Sequence, residues 1–177
     1  MIVVLHNIRS VHNVGSIFRT ADAAGIKKIY LCGYSPAPID RFGRPNHALA
    51  KVSLNAEKYI AWEKFSSTVK LLDQLKKANK GINILAVEQA GNSLPYYDID
   101  ARYMGKSEIV LVVGNEIKGL SRAILKRADR ILEIPMQGAM VRQAHHPRRT
   151  GHGKESLNVS VAFGIVAFHL AQISKVK

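Results

Sequence analysis

Three short segments of the chain combine glycine and an apolar strand with small polar side chains, as ligand-binding turns at strand ends do. They are residues 13–19, residues 113–121, and residues 156–164 together with the earlier segment 134–136. Their amide, hydroxyl, carboxylate and guanidinium groups can align a substrate, ease the loss of a proton and anchor a phosphate. We therefore expect the three segments to converge on one composite site.

Each of the polar residues also has an ordinary structural explanation when it is considered alone. Asn13 and Ser156 could cap helices, because short polar side chains accept hydrogen bonds from the first N–H groups of a helix. Arg19 could be a solvated helix residue, and Glu116 one more surface carboxylate. Their joint occurrence in three similar settings favours a shared site.

The chain between these segments predicts strands that alternate with helices. Apolar runs predict strands at residues 2–5, 28–32, 60–62, 82–87, 108–113 and 130–134, and periodic spacing predicts helices at 14–24, 66–79, 121–127 and 157–173. Gly81 is expected to end the second helix. The continuous apolar strands indicate an α/β fold with a parallel sheet flanked by helices on both faces. Gly15, Gly114 and the turn after Met136 are then expected at carboxyl ends of strands, where ligands bind.

Length and charge restrict the function further. The 177 residues, 47% of them hydrophobic, predict one domain spanning 1–177. Lysine and arginine number 26 against 13 acidic residues, which gives a formal charge of +13 and favours a polyanionic partner. Charge alone does not separate RNA from DNA or from an anionic membrane face. A membrane-spanning segment is not expected, because no apolar run approaches about 20 residues.

Cysteine usage and the first residues indicate the compartment. Cys32 is the only cysteine, so the sequence predicts neither an intramolecular disulfide nor a cysteine zinc cluster, and a reducing compartment fits. Residues 1–5 are predicted to form a strand and not a leader peptide. We therefore expect a cytoplasmic protein.

Two common nucleotide-binding motifs are absent from the sequence. The segment 114–121 has the length of a phosphate-binding loop, but Leu120 stands where the lysine is needed. No G-x-G-x-x-G pattern follows the first strand. A generic nucleotide-binding protein is therefore the weakest of the functions considered.

Taken together, the three segments resemble the three motifs of the SpoU/TrmH family of RNA ribose 2'-O-methyltransferases, within the SPOUT superfamily. The first motif is matched by Asn13 and Arg19 in HNVGSIFRTADAAG, and the second by Glu116 in VVGNEIKGLS. The third is matched by Pro135 in IPM and by Ser156 and Asn158 in SLNVSVAFGI. The resemblance covers nearly the whole chain.

The resemblance implies a fold, a cofactor and a set of site residues. It implies a C-terminal trefoil knot, a homodimer, and an RNA substrate that is either transfer RNA or ribosomal RNA, without a metal ion. S-adenosylmethionine is expected to be held by Val113, Gly114, Ile134, Met136, Ser156 and Leu157. The expected catalytic residues are Asn13, Arg19, Glu116, Ser156 and Asn158. Arg19 is expected near the target ribose at a dimer interface, either as the base or as a phosphate anchor.

One segment departs from the family pattern. Residues 139–153 (AMVRQAHHPRRTGHG) stand as an apparent inserted loop where the family passes through a short turn to the third motif. Lengthening a loop from about five to about twenty residues costs on the order of 1.2 kcal/mol, which a fold can tolerate. The insertion is a neutral bulge, an added RNA-binding arm, or a lesion that weakens cofactor binding. The alternative function is therefore a basic RNA-binding protein of the same fold with impaired or lost methyl transfer. A metal site from His145, His146 and His152 is a weak further possibility, because no carboxylate or cysteine joins them.

Overall fold

The computed structural model describes residues 1–105, 107–136 and 156–174. The strands are β1 (Ile2–His6), β2 (Lys28–Cys32), β3 (Ala61–Phe65), β4 (Ile82–Val87), β5 (Leu94–Pro95), β6 (Glu108–Val113) and β7 (Arg130–Glu133). They form one sheet in the order β3-β2-β1-β6-β4-β7-β5, and every pairing within it is parallel. The carboxyl ends of all these strands therefore lie along one edge.

Helices cover both faces of the sheet, as predicted. They are α1 (Val11–Ala23), α2 (His47–Ser53), α3 (Thr68–Ala78), α4 (Ala101–Met104), α5 (Arg122–Leu125) and α6 (Val159–Ile173). Two short 3₁₀ turns, Ala56–Lys58 and Tyr96–Asp98, lie in the connections. The α/β fold predicted from the strand pattern is confirmed.

The central strand β6 shows why the apolar runs are continuous. Leu111 and Val113 pack into the core that includes α1 and α6, whereas Val110 and Val112 pack into the core beneath α3 and α5. Successive side chains of a strand point to opposite faces, so a strand covered on both faces must be apolar at every position.

The first helix begins and packs differently from the prediction. Its N-cap is Ser10, whose side chain accepts the N–H of Asn13 at 3.2 Å, so Asn13 lies within the first turn and is not the cap. Gly15 was expected in a turn at a strand end, but it is buried inside α1. A Cβ there would lie 2.8 Å from Cβ of Val52 and 3.0 Å from the carbonyl oxygen of Leu49. Gly15 therefore permits the close approach of α2.

Several boundaries also differ from the prediction. Helix α2 was not predicted at all, and α3 ends at Ala78, before Gly81, whose N–H donates to Oδ1 of Asn79. Asn158, not Ser156, is the N-cap of α6, and its Oδ1 accepts the N–H of Ser160 at 2.9 Å. Local capping groups, which several nearby polar residues could supply, decide these ends.

Two predictions depend on residues outside the described ranges. The predicted insertion 139–153 lies outside the described residues. The trefoil knot depends on the course of the chain between Met136 and Ser156, so it stays a prediction. Within the described ranges, no helix combines the length and apolar character needed to cross a membrane.

Candidate active site

A pocket of about 180 Å³ opens at the carboxyl edge of β4, β6 and β7. Its walls come from the turn after β6, from the residues that follow β4 and β7, and from the start of α6. The lining residues are Val87, Glu88, Gln89, Val113, Gly114, Asn115, Glu116, Ile117, Gly119, Glu133, Ile134, Met136, Ser156, Leu157, Val159 and Ala162. Segments distant in sequence thus form one concave surface, because parallel strands end at a common edge.

Asn115 organises the turn that follows β6. Its Oδ1 accepts the N–H groups of Ile117 and Lys118 at 2.9 and 2.8 Å, as an asparagine that closes its own turn does. Its Nδ2 donates to the carbonyl oxygen of Asn7 at 2.8 Å and to the Tyr34 hydroxyl at 2.7 Å. Only 7% of Asn115 is exposed, so these hydrogen bonds fix the turn against the ends of β1 and β2.

Two glycines allow this turn to fold tightly against the pocket. A Cβ on Gly114 would lie 2.8 Å from Cγ of Leu120 and 2.9 Å from the carbonyl carbon of Gly119. Gly119 has φ +62°, and a Cβ on it would lie 2.2 Å from Oε2 of Glu88. That carboxylate oxygen also accepts the N–H of Leu120 at 2.6 Å. Side chains at either glycine would therefore displace the pocket wall.

A continuous chain of hydrogen bonds joins the three sequence segments beside the pocket. Asn13 donates from Nδ2 to Oε1 of Glu116 at 3.0 Å, and its Oδ1 accepts Nδ2 of Asn158 at 3.1 Å. Oδ1 of Asn158 in turn accepts the Ser160 hydroxyl at 2.7 Å. Each of the three segments thus contributes at least one side chain to a single polar network.

Glu116 is held as a carboxylate by several donors. The N–H groups of Arg9 and Ser10 donate to its two oxygens at 3.0 and 3.3 Å, in addition to the amide of Asn13. Partial burial by itself raises the pKa of Glu116, but these hydrogen bonds together outweigh it and leave the pKa below its ordinary value. Glu116 is therefore ionised at neutral pH and connects the start of α1 to the turn after β6.

The residues predicted to bind the cofactor all lie in the pocket. Val113, Gly114, Ile134, Met136, Ser156 and Leu157 are all lining residues. Of the residues predicted to be catalytic, Glu116 and Ser156 also line the pocket, while Asn13 and Asn158 adjoin it through the hydrogen-bond network. Their roles in binding and catalysis stay predictions.

Arg19 is placed elsewhere on the protomer. It is exposed on α1, six residues after Asn13, which is about 9 Å along the helix and about 120° around it. Among the described residues, none forms a hydrogen bond or ion pair with its guanidinium group. Within one protomer, Arg19 therefore does not join the network of Asn13, Glu116 and Asn158.

Four polar residues of the pocket were not among the predicted site residues. They are Asn115, Glu88, Gln89 and Glu133, and Oε2 of Glu133 accepts the Ser93 hydroxyl at 2.6 Å. Glu88 directly follows the buried strand β4, which was a usable signal because ligands bind at such strand ends.

A metal site finds no support in the described part of the chain, where no three histidine, cysteine, aspartate or glutamate side chains cluster suitably. The histidines at 145, 146 and 152 lie outside the described residues.

Known proteins are similar to this chain in sequence and in fold. The family model for the SpoU rRNA Methylase family matches residues 1–141. The chain is 31% identical over 168 residues to the tRNA (guanosine(18)-2'-O)-methyltransferase of Aquifex aeolicus. This alignment covers 95% of this chain and 67% of that protein. The chain spans 57% of the length of the TrmH family relatives from Staphylococcus that it matches.

Solved structures agree with the sequence comparison. The TrmH/SpoU tRNA modifying enzyme of A. aeolicus aligns with a TM-score of 0.72 at 29% identity, over 97% of this chain and 73% of that one. An AdoMet-bound rRNA methyltransferase from Sinorhizobium meliloti aligns with a TM-score of 0.77 at 25% identity, over 99% of this chain and 57% of that one. By its sequence motifs, its sheet and its matched residues, the chain belongs to the SpoU methylase family.

Proposed function

We propose that this chain is an RNA ribose 2'-O-methyltransferase that uses S-adenosylmethionine. The observation that carries the proposal is the hydrogen-bond network of Asn13, Glu116 and Asn158, which joins all three family motifs beside one pocket. The formal charge of +13 supports a polyanionic substrate. The names of the relatives support transfer RNA or ribosomal RNA.

The pocket suits S-adenosylmethionine chemically. Val87, Ile134 and Leu157 offer apolar surface to an adenine ring, and Gly114 lets Leu120 pack closely against the β6 turn that forms one wall of the pocket. Glu88 and Glu133 place two carboxylates in the wall, where they favour hydroxyl donors and positive charge. Bound there, the cofactor supplies an electrophilic methyl group on a positively charged sulfur.

The residues of the network act by positioning in this proposal. An in-line displacement by a weak hydroxyl nucleophile depends on alignment and on removal of the hydroxyl proton. The amide of Asn13 is held from both sides, by Glu116 and by Asn158, so its orientation is fixed. Ser156 lies in the pocket wall and is exposed, so its hydroxyl is accessible to the reacting groups.

Arg19 requires a second copy of the chain to reach a pocket. We propose a homodimer in which α6 packs against its counterpart, because Val161 and Phe168 are each 50% exposed on a helix with no Lys, Arg, Asp or Glu. Val161, Ile165 and Phe168 follow the helical spacing of a single apolar stripe. Phe168→Asp is expected to shift the sedimentation coefficient to that of a monomer, whereas an unchanged coefficient would contradict this arrangement.

Methyl transfer provides the direct test. The purified protein is incubated with S-adenosylmethionine carrying a labelled methyl group and with transfer or ribosomal RNA, and labelled 2'-O-methyl nucleosides are measured. Arg19→Ala is expected to abolish transfer while cofactor binding and melting temperature stay unchanged. Arg102→Ala, at another exposed arginine, is the control and is expected to retain transfer. Arg19→Lys separates the two roles through the pH dependence of transfer, which shifts to lower pH with the lower pKa of lysine if the side chain is the base and stays unchanged if it only anchors a phosphate.

The second candidate function is an RNA-binding protein without methyl transfer. It is favoured only by the apparent insertion 139–153, which lies in the sequence between Met136 and Ser156. RNA binding without calorimetrically detectable cofactor binding would support it over the enzyme. We place either activity in the cytoplasm, which fractionation of cells with an antibody to the protein would test.

A further inference from the structure

The connection after β2 contains a tight turn, Ile39–Pro45, that is closed by one carboxylate. Oδ1 of Asp40 accepts the N–H groups of Phe42 and Arg44 at 2.8 and 2.9 Å, and Oδ2 accepts Nε of Arg44 at 2.9 Å. Backbone hydrogen bonds from Asp40 N–H to the Arg44 carbonyl and from Gly43 N–H to the Asp40 carbonyl close the ring. Gly43 has φ +79°, which glycine adopts without strain.

This turn displays an exposed aromatic ring with two guanidinium groups close to it. Phe42 is 66% exposed, and Cζ of Arg41 and of Arg44 lie 4.7 and 5.1 Å from its ring centroid. The Arg44 N–H is foremost among the hydrogen bonds that hold the pKa of Asp40 below its ordinary value, so the carboxylate stays ionised. The turn therefore presents its ring and its positive charges already in place.

The connection that carries the turn contacts the candidate active site at its start and the helix pair α1 and α2 at its end. Tyr34, at the start of the connection, contacts Asn115 of the pocket through its hydroxyl. Asn46, at its end, caps α2 by accepting the Leu49 N–H at 3.2 Å, and α2 packs closely on α1 at Gly15. The connection thus begins at the same edge of the sheet as the pocket.

We propose that the turn Ile39–Pro45 is a docking platform for an unpaired nucleotide of the substrate RNA. The base stacks on the ring of Phe42 in place of one guanidinium group, and the flanking phosphates pair with Arg41 and Arg44. Every base has a π face, and guanidinium groups beside an aromatic ring suit a negatively charged backbone. The platform rests on the proposed function, because that function makes RNA the partner.

RNA fits this turn better than other anionic partners. An anionic membrane would require more apolar surface than a single ring, since interfacial binding grows with the apolar area that is inserted. Double-stranded RNA keeps its bases stacked inside the helix, where Phe42 cannot reach them. The platform therefore selects RNA with a loop or an unpaired end.

Binding to a fluorescein-labelled stem–loop RNA, measured by anisotropy without cofactor, tests the proposal. Phe42→Ala is expected to weaken binding about 5- to 150-fold, because a stacked base contributes that much to affinity. Arg41→Ala is expected to lower the slope of log K against log salt by about 0.7. Tyr59→Ala, at an aromatic residue that is 81% exposed elsewhere, is the control and is expected to bind as the wild type does.

A tryptophan variant supplies a readout that a purely structural role would not change. Phe42→Trp preserves the stacking surface, so the affinity for the stem–loop is expected to be retained. The fluorescence of the new tryptophan, measured as the excess over the Trp62 signal of the wild type, is expected to be quenched when the stem–loop binds. Wild-type affinity in Phe42→Ala, or unquenched Phe42→Trp with bound RNA, would overturn the platform. Absence of methyl transfer would instead contradict the proposed enzyme, because the binding measurement needs neither cofactor nor turnover.

Discussion

Replacing Asn13 by aspartate places a second carboxylate against Glu116 while keeping the shape of the side chain. The oxygen that accepts Nδ2 of Asn158 is preserved, but the donor that lies 3.0 Å from Oε1 of Glu116 becomes a negatively charged oxygen. The substitution therefore turns one attractive contact of the network into a repulsive one.

The expected loss of stability follows from two contributions. Two like charges about 4 Å apart repel by about 4 kcal/mol at an effective dielectric constant near 20, and partial exposure reduces this to about 2 kcal/mol. The lost hydrogen bond to a charged group adds about 1.5 kcal/mol. For a domain of this size, about 3.5 kcal/mol lowers the melting temperature by about 7 to 14 °C at pH 7.

The pH dependence identifies the cause. In the wild type, the pKa of Glu116 lies below its ordinary value, so its contribution is fully present above the unfolded pKa of about 4.3 and is lost only as the pH falls through the folded pKa. In Asn13→Asp, repulsion raises the pKa of one carboxyl in the folded state, which then binds a proton more readily than the unfolded chain does. The variant should therefore regain stability, relative to the wild type, between pH 7 and pH 5.

Melting temperatures of variant and wild type at both pH values provide the assay. His12→Asp is the matched control, because it adds the same charge to the exposed side of the same helical turn, where the helix dipole favours it. Asn13→Ala removes the hydrogen bonds without adding charge and should show no recovery at pH 5. A variant within 2 °C of the wild type at pH 7, or a deficit that is unchanged at pH 5, would refute the reasoning.

Three further predictions concern the pocket and the sheet edge. Gly114→Ala should lower S-adenosylmethionine affinity at least tenfold by calorimetry, because its Cβ would lie 2.8 Å from a neighbouring side chain, whereas Gly91→Ala, with open space, should not. Asn115→Asp should lower the melting temperature by about 4 to 8 °C, because its hydrogen bond to the Asn7 carbonyl oxygen becomes an oxygen–oxygen contact that costs about 2 kcal/mol, while the exposed Asn92→Asp should change it little. Burial lowers the pKa of His6 in the folded protein. The neutral imidazole therefore contributes stability above the unfolded pKa of about 6.5, and this stability is lost as the pH falls through the folded pKa. His6→Gln should flatten the fall in melting temperature from pH 7 to pH 5.

The strands could be predicted closely because their signal is local. The bounds predicted for β2, β4 and β6 are those of the structure, since a strand covered on both faces must be apolar at each position. Helix α2 was missed because His47–Ser53 is short and follows a proline-rich loop. Its position depends on packing against Gly15, and a contact between two helices cannot be read from either segment alone.

The motifs and their order along the chain are properties of the sequence, and they were sufficient to indicate the family, the cofactor class and the pocket residues. The tertiary structure decided which side chains bond to one another, because Asn13, Glu116 and Asn158 are separated by more than a hundred residues at their widest and meet only where parallel strands end. It also placed Arg19 on a different face of α1 from Asn13, since helical rotation, and not sequence proximity, determines the direction of a side chain.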